Sequence, residues 1–86
     1  MAAKKRKILV VDDSDNNLFL LEEVLLEYDY SVITARGGKE AVEQISQECP
    51  DLVLLDIMMP EFGGYHVLEN LKLNNISVPV IILSAR

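Results

Sequence analysis

The sequence predicts an α/β domain built on a parallel sheet, with elements in the order βαβαβαβ. Three observations carry that prediction. Short apolar runs at 8–11, 52–55 and 80–83 are separated by stretches of helical periodicity. Two of those runs end directly in aspartates, at the place where open parallel sheets collect their ligands. Alternation of this kind also implies right-handed crossovers that lay helices on the sheet faces.

The first strand, β1, is placed at 7–12, a continuous apolar run closed by Asp12 and Asp13. Helix α1 is placed at 15–28. Ser14 or Asp15 can cap it, and Tyr28-Asp29-Tyr30 ends it, since aspartate tolerates a left-handed turn. Its apolar positions Leu18, Phe19, Leu20, Leu21, Val24, Leu25, Leu26 and Tyr28 occupy well over half the circumference, whereas a helix lying on one sheet needs a stripe of about 100°. The excess implies contact with something else, either an absent helix or another chain.

Strand β2, at 31–35, is more polar and reads as a sheet edge. In α2, at 38–48, Ala41, Val42, Ile45 and Cys49 share one face, which packs Cys49 at the helix end and leaves Lys39, Glu40, Glu43, Gln47 and Glu48 for solvent. Strand β3, at 52–56, is apolar up to Asp56. Helix α3, at 64–73, turns Val67, Leu68 and Leu71 inward after Gly63-Gly64, an entry that permits an unusual backbone path, and leaves His66 on its solvent side. Strand β4, at 79–84, looks as interior as β1 and β3, yet the sequence stops three residues past Leu83 with nothing left to flank or cover it.

Eighty-six residues support one domain. A chain of this size buries roughly 60–65% of its unfolded surface, which leaves a thin stability margin. Half of the residues are hydrophobic, so the chain is not a disordered one. The net charge of −6 argues against a general nucleic-acid or membrane surface, because both partners are anionic. The exception is a basic N-terminal tail at 1–6, leading into the domain at 7–86. Lys4, Lys5, Arg6 and Lys7 are four of the eight basic residues, and they read as a solvated lead-in. A secretory signal is excluded by pattern, since the apolar stretch after them is four residues long and then meets two aspartates. No segment approaches transmembrane length. Cys49 is the only cysteine, which excludes a disulfide framework or thiolate metal cluster and makes a reducing cytoplasm the default.

The acids carry the functional signal. Asp12, Asp13 and Asp56 converge only if β1 and β3 are neighbours. Two unit charges roughly 4 Å apart cost about 4 kcal/mol at an effective dielectric of about 20, so either a bound cation or retained protons must relieve the cluster. Taken singly, each aspartate would be an ordinary solvated strand-end or helix-cap acid.

With Val11-Asp12-Asp13 after β1, Asp56 after β3 followed by Met59-Pro60 and Gly64, and Pro79-Val80-Ile81-Ile82-Leu83-Ser84-Ala85 at β4, the chain resembles the receiver domain of bacterial two-component response regulators. The resemblance runs from about Lys7 to the last residue. It implies a CheY-like (flavodoxin-like) parallel sheet in the order 2-1-3-4, lacking the family's fifth strand and last two helices. It also implies that Asp56 accepts a phosphoryl group from a phosphohistidine on a histidine kinase or phosphotransfer protein. Mg2+ would be held by Asp13, Asp56 and the backbone carbonyl of Met58, with Asp12 acting mainly through water. Ser84 resembles the family hydroxyl that bonds the phosphoryl group and rearranges on activation. The residue types suit the task, since Mg2+ prefers oxygen ligands at roughly 2.0–2.1 Å in octahedral geometry and keeps several waters. The resemblance implies a signalling domain that assists its own phosphotransfer, with no independent substrate turnover.

The family's invariant lysine has no counterpart, because the sequence ends at Arg86. Position 63 is glycine where aspartate is common, and Asp29 replaces a frequent glycine. A second reading is therefore a truncated or engineered receiver fragment that no longer signals and self-associates through its exposed fourth strand and first helix. A third is a Mg2+-dependent phosphohydrolase with an aspartyl nucleophile. It is disfavoured because such an enzyme needs a second acid two residues after the nucleophile, where Met58 stands, and a cap for which there is no room.

Overall fold

Elements follow one another as β1 (Lys7–Val11), α1 (Asp15–Glu27), β2 (Ser31–Ala35), α2 (Gly38–Glu48), β3 (Leu52–Leu55), α3 (Gly64–Leu73) and β4 (Val80–Ile82). They are seen in a computed structural model that describes residues 5–57 and 64–83. All strand pairs are parallel, and the sheet order is β2-β1-β3-β4. Polar β2 therefore lies at one edge, as predicted, and β4 at the other. Among the described residues no helix is long and apolar enough to cross a membrane.

Because strand side chains alternate between faces, the apolar runs supply two cores. Leu9, Val11, Val53 and Leu55 pack with Ala41 and Ile45 of α2 and with Val67 and Leu71 of α3. On the opposite face Ile8, Val10 and Leu54 pack with Leu18, and Leu21 and Leu25 lie against them. Among the described residues, α1 is the only helix on that second face. Ile81 sits level with Leu54 in the ladder and shares its face, yet it is 51% exposed. Among the described residues the interior character of β4 is thus not matched by cover, since Ile82 and Leu83 are exposed as well. The excess apolar surface expected of α1 is also present, with Phe19, Leu20, Val24, Leu26 and Tyr28 exposed.

Local chemistry fixes the element ends. Ser14 is extended and its hydroxyl accepts from the Asn17 N–H at 3.3 Å, which identifies it as the α1 cap. Asp29 closes that helix in the left-handed region, at φ 70°. Around α2, the Glu40 carboxylate accepts from the Arg36 N–H at 3.2 Å, and Cys49 ends the helix at φ 48° with its N–H bonded to the Ile45 carbonyl. That left-handed step swings Cys49 into solvent, so it does not pack at the helix end as its spacing suggested.

The role of Gly64 also differs from expectation. Among the described residues no glycine has positive φ, so Gly64 does not supply an unusual backbone path. It supplies space, because a Cβ there would sit 2.7 Å from the Ile57 Cα. Gly63 lies outside the described residues.

The end of the basic lead-in is tied to the sheet. The Ser31 N–H donates to the Arg6 carbonyl at 2.8 Å, Lys5 pairs with Asp29 at 3.3 Å, and Lys7 reaches Glu48 at 3.0 Å. Strands β1 and β3 each stop one residue short of their predicted ends, and among the described residues β4 runs over Val80–Ile82 and leaves out positions 79 and 83. At β1 and β3 the residues left over are Asp12 and Asp56, where the chain leaves the ladder.

Candidate functional site

The register that builds the core also aligns the acids. Val11 is level with Leu55 across the β1–β3 ladder, so Asp12 and Asp56 emerge side by side at the carboxyl ends of neighbouring strands. The Asp56 N–H donates to the Val11 carbonyl at 2.9 Å, and the Asp12 N–H donates to the Ala35 carbonyl at 3.0 Å. Both backbones are thus held by the last rungs of the sheet. One carboxylate oxygen from each of Asp12, Asp13 and Asp56 lies within 4.8 Å of the others.

The three differ in setting. Asp12 is only 4% exposed, Asp13 is exposed and Asp56 is half-buried. The buried carboxylate has donors for both oxygens. Its Oδ1 accepts from the Ser14 N–H at 2.9 Å, and its Oδ2 accepts from the Asn17 side-chain amide at 3.2 Å. Beside the cluster, Arg36 pairs with Asp15 at 2.8 Å, but both side chains are largely exposed, and such pairs contribute about 0–1 kcal/mol.

The donor set is hard oxygen, with no imidazole or thiolate among the three residues, and this matches the preference of Mg2+. Opposed ligands of one such ion stand about 4.2 Å apart, so a cluster of this spread accommodates an ion with direct ligation from some carboxylates and a bridging water to another. Met58 and Ser84, the other two residues the sequence points to, lie outside the described residues, as do Met59 and Pro60. The Leu83 N–H donates to the Leu55 carbonyl at 2.9 Å, which carries the chain at 83 up to the end of β3.

Sequence reasoning missed Asn17. A signal for it exists, since Asn17 occupies the third helical position after the Ser14 cap, from which polar side chains reach back past the helix start.

These features define a class: an open parallel α/β sheet with a carboxylate cluster at the point where strand order reverses, between β1 and β3. The family model for the response regulator receiver domain matches residues 8–86, and the chain belongs to that family. A curated relative is the alkaline phosphatase synthesis transcriptional regulatory protein PhoP of Bacillus subtilis. It is 40% identical over 81 residues, and the match covers 94% of this chain and 34% of that protein. The chain thus spans about a third of the length of the curated relatives it matches first.

Among solved structures, the N-terminal domain of a response regulator receiver protein from Methanoculleus marisnigri is 40% identical with a TM-score of 0.88, covering 93% of this chain and 67% of that one. The response regulator TrrA from Thermotoga maritima, solved in complex with Mg2+-BeF, is 38% identical with a TM-score of 0.87, covering 94% and 70%. Receiver domains in general accept phosphoryl groups from histidine kinases at an acidic, Mg2+-binding site.

Proposed function

We propose that this chain is a phosphoacceptor receiver in which Asp56 takes a phosphoryl group from a phosphohistidine of a histidine kinase or phosphotransfer protein. The observation that carries the reading is the placement of Asp56 within one cluster with Asp12 and Asp13. An Asp56 carboxylate oxygen attacks phosphorus as the N–P bond of the donor breaks. The imidazole leaves with the bonding electron pair and takes up a proton, and the product is an acyl phosphate. A bound Mg2+ would offset the charge that builds on the phosphoryl oxygens. Asp13, Asp56 and the Met58 carbonyl would hold it, with Asp12 acting through water and Ser84 contacting the transferred group. We read the domain as cytoplasmic and without independent substrate turnover.

Incubation with Mg2+ and a small phosphodonor, followed by intact mass measurement, tests the reading. The parent protein should gain the mass of one phosphoryl group and Asp56→Asn should not. An unmodified parent would remove the phosphoacceptor reading.

A second reading rests on the exposed apolar residues of β4 and α1: the chain self-associates through them. Sedimentation showing a stable, folded monomer at micromolar concentration would count against it.

A further inference from the structure

The Asp12 carboxylate is nearly fully buried, and one of its two donors is a side chain that no part of the reaction above employs. We infer that Asn17 is a positioning residue for the cation site, and that its amide fixes the rotation of the Asp12 carboxylate so that a defined oxygen edge faces the metal's water shell. The inference rests on the proposed cation-dependent receiver function.

Asn17 is itself held in place. Its backbone N–H donates to the Ser14 hydroxyl at 3.3 Å, which anchors it in the first turn of α1. From there its side-chain Nδ2 donates to Asp12 Oδ2 at 3.2 Å, while the Ser14 N–H donates to Oδ1 at 2.9 Å. Two donors on two different oxygens define the plane of a carboxylate, whereas one donor leaves it free to turn. An ionised carboxylate offers about four acceptor positions, so two remain for water on a bound cation.

The chemistry of the second donor also matters. An amide is neutral, so it orders the acid without cancelling the negative charge that attracts a cation. A lysine or arginine at position 17 would supply a competing positive charge. Asn17 therefore acts on the metal through Asp12 and its water, one step further out than the partners of direct ligands, whose loss typically weakens affinity about 10- to 100-fold.

The test is Mn2+ titration of the full chain followed by water-proton relaxation, which reports both affinity and the hydration of the bound ion, with thermal unfolding recorded for each variant. Asn17 is exposed and in a helix, so Asn17→Ala should fold. It should bind Mn2+ more weakly, by up to about 10-fold. Asn17→Gln, which keeps the amide donor, should recover most of that loss. In an Asp12→Asn background the Asn17→Ala change should cost no further affinity, because the effect runs through the removed carboxylate.

Equal Mn2+ affinity of the parent and Asn17→Ala would overturn the inference and leave the cation site standing. The inference also fails, with the cation site intact, if Asn17→Ala lowers the unfolding midpoint and Asn17→Gln does not restore Mn2+ affinity. A parent that binds no Mn2+ would overturn this inference and the cation-dependent reading together.

Discussion

At the scale of single residues, position matters more than residue type. Asp12 and Asp13 are adjacent in sequence, yet one is buried and tied to the first turn of α1 while the other faces solvent. Gly64 shows the same dependence on place. Its missing Cβ leaves room for the Ile57 backbone, so Gly64→Ala must push the start of α3 away from Ile57. Such crowding costs about 1–3 kcal/mol. A urea melt of Gly64→Ala should show a lower midpoint with an unchanged slope, and a midpoint equal to the parent's would refute this account. The acidic trio was legible from sequence because each acid abuts an apolar strand. Asn17 was missed although its position three residues after the Ser14 cap is a signal, because polar residues in a first helical turn usually face solvent and only the structure shows its amide on Asp12. Cys49 misled for a related reason: helical spacing assigns it to the buried face, and the left-handed step that ends α2 removes it.

Among the elements, every strand and helix was readable from apolar runs and periodicity, and the boundaries that shifted did so where hydrogen bonding, not hydrophobicity, decides. Asp12 and Asp56 follow their strands in sequence but sit past the last paired positions, which is what frees them for a site. Helix α1 supplies the clearest element-scale prediction. Ser14→Ala removes the hydroxyl that caps the Asn17 N–H but keeps the Ser14 backbone N–H on Asp12. Loss of about 1 kcal/mol of stability is expected in chemical denaturation. Mn2+ affinity should fall less than in Asn17→Ala, because both donors to Asp12 remain. A stability loss indistinguishable from zero would mean that the cap contributes nothing here.

For the molecule as a whole, the two faces of the sheet are unequally covered. Among the described residues two helices bury one face, while the other carries α1 over β1 and β2 and leaves Ile81 half exposed beside Leu54. The sequence already hinted at this imbalance through the interior-type run of β4 and the over-wide apolar surface of α1. If β4 drives association, Ile81→Lys should shift the sedimentation profile towards monomer, because a charge on an open edge opposes strand pairing. Identical profiles for Ile81→Lys and the parent would remove β4 from the interface.

The left-handed end of α2 bears on how such a profile is read. It presents a solitary thiol to solvent at Cys49. Thiols in that position oxidise in air to intermolecular disulfides, and two chains joined in that way would migrate as a pair whatever their hydrophobic surfaces do. Handling under a reductant, or a Cys49→Ser background, separates covalent pairing from strand-mediated pairing.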